Sequence, residues 1–379
     1  MKQLRVLAPG RINLLGEHLD YNQGIVLPAA IDRCIEFDFK EIHGSTVLIE
    51  ALDLNEQWEF SWDELNTSLP AGWKTYVKGV FLLMGFDSHA PLGLHIRFKS
   101  NIPIGAGLSS SAALCCGLAF GLNEFYALGK TCMELALLSQ QAEHRFAGVK
   151  CGLMDQVASL FGQANHLLAF DCISNEIMPF ELPLNGAQLF LIDSKVKHNL
   201  ASSAYNERRA SMEHAWELAQ VLFPNLKNWR DLKPTELARL NSNLDATTQN
   251  RLRYVIEEIA RVQAVQKLAN ELVLLSPDQN PEALLAQLGA YLNQTHEGLR
   301  DLYEVSCREL DFLQDEIRAQ KGVYGARMMG GGFGGCLLVL ASREFGREDV
   351  QALVSKFNAK HGLQSEWIDI RLSDGVYAV

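Results

Sequence analysis

Between Asn101 and Leu114 the chain reads Asn-Ile-Pro-Ile-Gly-Ala-Gly-Leu-Ser-Ser-Ser-Ala-Ala-Leu, and no other stretch restricts the fold as much. Two glycines permit a tight turn rich in free backbone, and three serines add hydroxyls without bulk. Residues Ala112 to Phe125 are dominated by Ala, Leu and other apolar types, which predicts a buried helix. A helix opening at a serine run offers unpaired N–H groups and a positive dipole end, a setting that suits phosphate. The same residues also fit a glycine turn and serine cap that simply start a core helix. A second glycine stretch, Gly330-Gly331-Gly332-Phe333-Gly334-Gly335, lies far away in sequence. So many glycines are costly in conformational entropy unless a backbone must come close to something. Together the two segments point to a phosphate site.

A chain of 379 residues is long enough for two domains that share a cleft. Its net charge of -11 argues against general nucleic-acid binding but leaves room for small anions held by local donors. No apolar run approaches the roughly 20 residues of a membrane helix, and Met-Lys-Gln-Leu-Arg at the start has no signal-like apolar region. The eight cysteines are scattered, without a Cys-x-x-Cys pair, so neither a zinc site nor a disulfide framework is indicated. A reducing cytoplasm is the expected setting.

Along the chain, Leu4 to Ala8 predicts a strand stopped by Pro9 and Gly10. The following segment, Gly10 to Gly24, gathers Arg11, Asn13, Glu17, His18, Asp20 and Asn22 between glycines. Those residues suit hydrogen bonding to a polyol, since carboxylates accept from hydroxyls and His can do either. A solvated loop with internal salt bridges is the other reading. Ile35, Phe37 and Phe39 alternate with charged residues as in a half-buried strand, and Leu94, Ile96 and Phe98 repeat the pattern. Trp73 to Met84 has helical spacing. Thr131 with Glu134 forms a capping box for a helix through about Phe146, and a short helix follows from Leu153 to Leu160. Asp155 on that short, otherwise apolar stretch is either a functional carboxylate or a helix cap. Strands are expected at Leu167 to Asp171 and Ala187 to Asp193. From about 200 to 320 the chain is helical, with an apolar stripe through Leu252, Val255, Ile259 and Val262. Glu257, Glu258 and Arg261 oppose that stripe and read as solvated surface. A strand at Cys336 to Leu340, a helix near Asp349 to Lys360 and a strand at Trp367 to Leu372 close the chain. The expected division falls near 180 to 200, giving domains of 1–190 and 191–379.

Taken together, these stretches resemble the galactokinases of the GHMP small-molecule kinase superfamily. Gly10-Arg-Ile-Asn-Leu-Leu-Gly-Glu-His-Leu-Asp-Tyr21 resembles the galactokinase signature, and Pro103 to Ala112 the superfamily's phosphate loop. Ala142 to Gln156 is similar to the segment carrying the family's catalytic Asp. Asp193 to Arg209 and Gly325 to Gly335 match two further motifs. Several long motifs in the family's order are more specific than any single glycine pattern.

The resemblance implies an α+β, two-domain GHMP kinase fold with ATP and sugar meeting in the interdomain cleft. It implies Asp155 as catalytic base and Arg11 as its partner near the transferring phosphoryl. It implies Ser111 and Glu143 as Mg2+ ligands, and Glu17, His18, Asp20, Gly152 and Tyr205 as sugar contacts. Gly105, Ala106, Gly107, Leu108, Ser109, Ser110 and Ser111 would cradle the ATP phosphates, and Lys197 could add positive charge. The implied partners are a small-molecule sugar and ATP, with no nucleic acid and no membrane, and the state a monomer. Leu19, where galactokinases commonly carry Thr, and Ala204, where they often carry Glu, depart from the pattern and bear on the exact sugar. The alternatives are a kinase for N-acetylgalactosamine or another hexose, and a sugar- and ATP-binding sensor without turnover. The retained set Arg11, Ser111, Glu143 and Asp155 favours the enzyme. A nicotinamide-dependent reductase is disfavoured, since the second glycine stretch precedes a predicted strand and not a helix.

Overall fold

A computed structural model describes residues 2–67, 69–86, 93–196, 201–276 and 278–379; Lys197 lies outside them. The alternating aromatic strand is the middle of the larger sheet. Its six strands run in the order Tyr377–Ala378, Gln3–Asn13, Pro28–Ile42, Gly93–Ser100, Thr46–Ala51, Glu56–Ser61. Phe37 pairs with Phe98 and Phe39 with Ile96, all on the buried face. Thr46–Ala51 runs parallel to Gly93–Ser100, so the sheet is mixed and not purely antiparallel.

Helix Ser110–Tyr126 lies across this buried face. It can come so close because Gly117 and Gly121, four residues apart, share one face. A Cβ on Gly117 would sit 2.4 Å from Phe37, and one on Gly121 would sit 2.1 Å from Phe39. The phenyl rings therefore occupy the space of the missing side chains, which fixes the helix, and the loop before it, against the sheet.

The first strand does not stop at Pro9. It continues to Asn13, with a shift in register between Pro9 and Arg11. The bulge absorbs the proline, whose carbonyl accepts from Ser159 Oγ at 2.9 Å. Beyond it, Arg11 N–H donates to Leu108 O at 3.1 Å, joining this strand to the glycine–serine loop.

A smaller sheet is ordered Val323–Met328, Cys336–Ser342, Ala187–Asp193, Glu366–Asp369. Ala187–Asp193 thus lies wholly in the second sheet, while the final pair Tyr377–Ala378 returns to the first. A third, three-stranded sheet joins Ile25–Val26, His166–Asp171 and Ile177–Glu181. The last predicted strand is shorter than expected, and Leu372 makes only an isolated bridge to Ile31. Helices Ala201–Leu222, Ala246–Leu274 and Glu282–Asp301 dominate the region predicted to be helical. The stripe of Leu252, Val255 and Val262 is buried as expected, but Glu258 and Arg261 are buried too, at 0% and 8% exposure. Only Glu257 of that group keeps substantial access to solvent. Among the described residues, no helix is long and apolar enough to cross a membrane.

Candidate active site

The segment between Asn13 and Ile25 turns sharply, with His18 in the left-handed region at φ 62°. That turn sends Leu19 into the core, fully buried, and leaves Glu17, His18 and Asp20 on one side. They face a cavity of about 260 Å³. Tyr205, from helix Ala201–Leu222, completes this wall. Gly107, Ser109, Ser111 and Gly330 to Gly332 line the same cavity, Gly330 meeting Glu17 and Gly331 lying against Tyr205, and Arg11, Glu143 and Asp155 line it too. Leu19 does not line the cavity, so the departure from Thr there lies in packing and not in ligand contact.

On the glycine–serine side, Ser109 adopts φ 57°, ψ 48°, and its hydroxyl does not cap helix Ser110–Tyr126. The first-turn N–H groups remain open next to the cavity, the arrangement that favours an anion over a plain capped helix. Ala106 and Leu108 are buried and act through their carbonyls, which accept from Cys336 N and Arg11 N. Gly105, at φ 76°, turns the exposed tip, and Ser110 begins the helix. The second glycine stretch packs directly on this loop. Gly107 and Gly330 both have positive φ, and a Cβ on Gly330 would lie 3.1 Å from Gly107 O. What the glycines approach is thus the other glycine loop, and the two form a single cradle.

Asp155 opens helix Met154–Phe161 and accepts from Arg11 Nε at 2.6 Å. Arg11 Nη1 donates to Gly107 O at 2.5 Å, so one buried guanidinium ties the acid to the cradle. Glu143 follows helix Cys132–Ala142, where a turn of π-helix, Glu143–Ala147, replaces the predicted regular continuation. Such turns recur at functional sites because they displace a side chain from the regular helical rows. Glu143 accepts from Gln156 Nε2 at 2.7 Å and from Ser111. Burial, reinforced by nearby Asp155, pushes its carboxyl up to about 7. A buried acid beside a hydroxyl is a donor set that fits a hard divalent ion. Among the described residues no group of three or more His, Cys, Asp or Glu could hold a metal, so other ligand oxygens would have to complete the shell.

Burial also governs Glu17, His18 and Asp20. It lowers the His18 imidazole to about 4, so the ring is neutral. Its Nδ1 meets Tyr21 OH at 2.8 Å, while Nε2 is buried with no partner among the described residues. Burial would raise Glu17, but Arg327, Arg11 and the Gly330 N–H hold it below its usual range. Asp20 gets less relief, from Arg11 and Arg209 at a distance. Burial, then Asp155 and Glu17, push it up to about 7. Gly152 fits against it, since a Cβ there would fall 2.0 Å from Asp20 Oδ2.

The sign of the Asp20 shift sets a prediction. A carboxyl raised from about 3.8 to about 7 destabilises the fold progressively as pH rises through that window. Asp20→Asn removes the cost, so the ligand-free variant should melt above the parent at pH 8 and close to it below pH 4. A melting difference that does not grow with pH would show that Asp20 ionises freely.

Sequence reasoning missed three buried supports. Arg327, fully buried on strand Val323–Met328, donates to Leu14 O at 2.9 Å and Glu17 Oε1 at 3.0 Å, and also to Asn13 O. Its signal was an Arg between Ala326 and Met328 in a strand otherwise free of charge. Tyr303 OH contacts Tyr21 OH at 3.0 Å and Asn22 at 3.2 Å, and its ring lies 4.8 Å from His18. Glu258 accepts from Gly16 N–H at 2.8 Å; its place on a helix face rich in charges concealed it.

Comparisons with known proteins agree on one family. Residues 2–36 match the galactokinase galactose-binding signature, 75–163 the GHMP kinases N terminal domain and 282–360 the GHMP kinases C terminal domain. A galactokinase of Thermotoga maritima is 37% identical over 378 residues, covering 99% of this chain and 100% of its own. One from Thermosipho africanus is 37% identical, covering 98% and 99%. The crystal structure of Lactococcus lactis galactokinase complexed with galactose superposes with a TM-score of 0.90 at 28% identity, covering 100% of this chain and 95% of that one. Methanococcus jannaschii mevalonate kinase, at TM-score 0.67 and 18% identity over 98% and 99%, shares the fold.

Proposed function

Because the chain belongs to the galactokinase family of the GHMP kinases, we propose that its cavity transfers the γ-phosphoryl group of ATP to the 1-hydroxyl of galactose. The observation that carries this reading is the Arg11–Asp155 pair, 2.6 Å apart, lining one cavity with an open helix N-terminus and with a group of acids and a neutral imidazole. A phosphate group at the former and a polyol at the latter meet at Asp155.

In phosphoryl transfer the protein mainly positions the reactants and offsets charge. Asp155 accepts the proton of the 1-hydroxyl as its oxygen bonds to the γ-phosphorus and ADP leaves with the electrons of the broken P–O bond. Arg11 holds Asp155 in place and lies close enough to offset charge on the transferring group. The N–H groups opening helix Ser110–Tyr126 and the glycine cradle receive the phosphates. Asp20, whose raised carboxyl is relieved when hydroxyls donate to it, contacts the sugar together with Glu17, Tyr205 and His18 Nε2. Ser111 and Glu143 would hold Mg2+, which when bound would neutralise phosphate charge. We take the cytoplasm as the chain's setting, where ATP is at hand and the eight free cysteines stay reduced.

The test is ADP release with Mg-ATP and a panel of free sugars, repeated after chelation of divalent ions. Galactose should be phosphorylated far better than glucose, and chelation should abolish the rate. Faster turnover of N-acetylgalactosamine would move the assignment to that sugar. ADP release with none of the sugars, though both ligands bind, would make the chain a sensor.

A further inference from the structure

Glu258 belongs to helix Ala246–Leu274, outside the cavity, and is the acid on that helix with no exposure at all. A carboxylate out of water needs donors at both oxygens. Oε2 receives two from its own half of the molecule, Arg261 Nε at 2.7 Å and Thr295 Oγ1 at 2.8 Å. Oε1 is turned across to Gly16 N–H, 2.8 Å away and 242 residues distant in sequence. Gly16 N–H is thus the donor that serves Oε1, and burying this charge ties the helix to the loop that carries Glu17 and His18. Tyr254, one turn earlier on the same helix, donates from its hydroxyl to Glu17 O at 3.0 Å. One helix thus grips the loop at the N–H before Glu17 and at the carbonyl of Glu17 itself. Gly16 lies at φ 97°, and His18 at φ 62°. A loop with two left-handed residues so close together needs outside contacts to hold its side chains in one orientation.

We infer that Glu258 is a positioning residue for sugar recognition: through Gly16 N–H it sets the direction in which Glu17 and His18 enter the cavity. The inference rests on the galactose reading given above. Glu258 touches no ligand, so its effect belongs on sugar binding and not on ATP.

Glu258→Gln tests it. The amide keeps the shape and has one oxygen, so pairing that oxygen with Arg261 and Thr295 turns an N–H toward the Gly16 N–H. The galactose KM should rise roughly tenfold or more, the scale on which outer partners of a binding site act. The ATP KM and kcat should stay within about twofold. Leu288→Ala, a core truncation on helix Glu282–Asp301, supplies the comparison for general loosening. It should lower the melting temperature without separating the two KM values. If Glu258→Gln does not fold, Thr295→Val carries the test, because it frees the carboxylate to rotate away from Gly16 and should raise the galactose KM a few-fold. A galactose KM within about twofold of the parent in Glu258→Gln, or in Thr295→Val where only that variant folds, overturns the inference. So does an equal rise in both KM values that Leu288→Ala reproduces. Failure of the parent protein to turn over galactose would instead strike the galactose reading.

Discussion

Asp155→Asn is expected to lower kcat by roughly 10²–10⁴-fold, the usual contribution of a group that moves a proton in the transition state. Binding of galactose and of Mg-ATP should be nearly unchanged, since Asn keeps the size of the side chain and an oxygen for Arg11 Nε. Arg11 also retains its bond to Gly107 O, so the cradle is not released. Some stability should be lost as well, because the Arg11 guanidinium, its side chain 4% exposed, keeps its charge without the charge of its partner. The pattern to look for is therefore a loss in kcat without a matching rise in either KM. Turnover within a few-fold of the parent would remove Asp155 from the proton transfer and leave Arg11 to be explained without it.

Arg327→Met is expected to be the most destabilising single change near the site. Met fills much of the volume but donates nothing. The carbonyls of Asn13 and Leu14 lose a donor, and buried Glu17 keeps the Gly330 N–H at 2.8 Å and the more distant charge of Arg11. Removing one partner of a buried ion pair costs about 3–5 kcal/mol. Chemical unfolding should show a loss of that order, and the galactose KM should rise because Glu17 is no longer held. Adding Glu17→Gln to Arg327→Met removes the stranded charge, so the double variant should be less destabilised than the two single losses added together. Simple additivity would show that the two side chains are not coupled.

Much of the site could be read from the residues alone. The glycine–serine loop, the signature from Gly10 to Tyr21 and the acids Glu143 and Asp155 are contiguous motifs. Backbone freedom, hydroxyls and carboxylates declare their chemistry wherever the chain carries them. Alternation of Ile35, Phe37 and Phe39 gave the central strand, and helical spacing gave Trp73–Leu83, because both patterns depend only on neighbours within a turn or two.

The tertiary structure decided the rest. It turned Leu19 away from the cavity, carried the first strand through Pro9, and set the two glycine loops backbone to backbone. It also buried Glu258 and Arg327, which a local reading assigns to solvent or passes over. A charge is inside only if partners meet it there, and these partners lie 242 and 310 residues away. Periodicity describes a helix or strand about its own axis, and it carries no record of what a distant segment brings to that face.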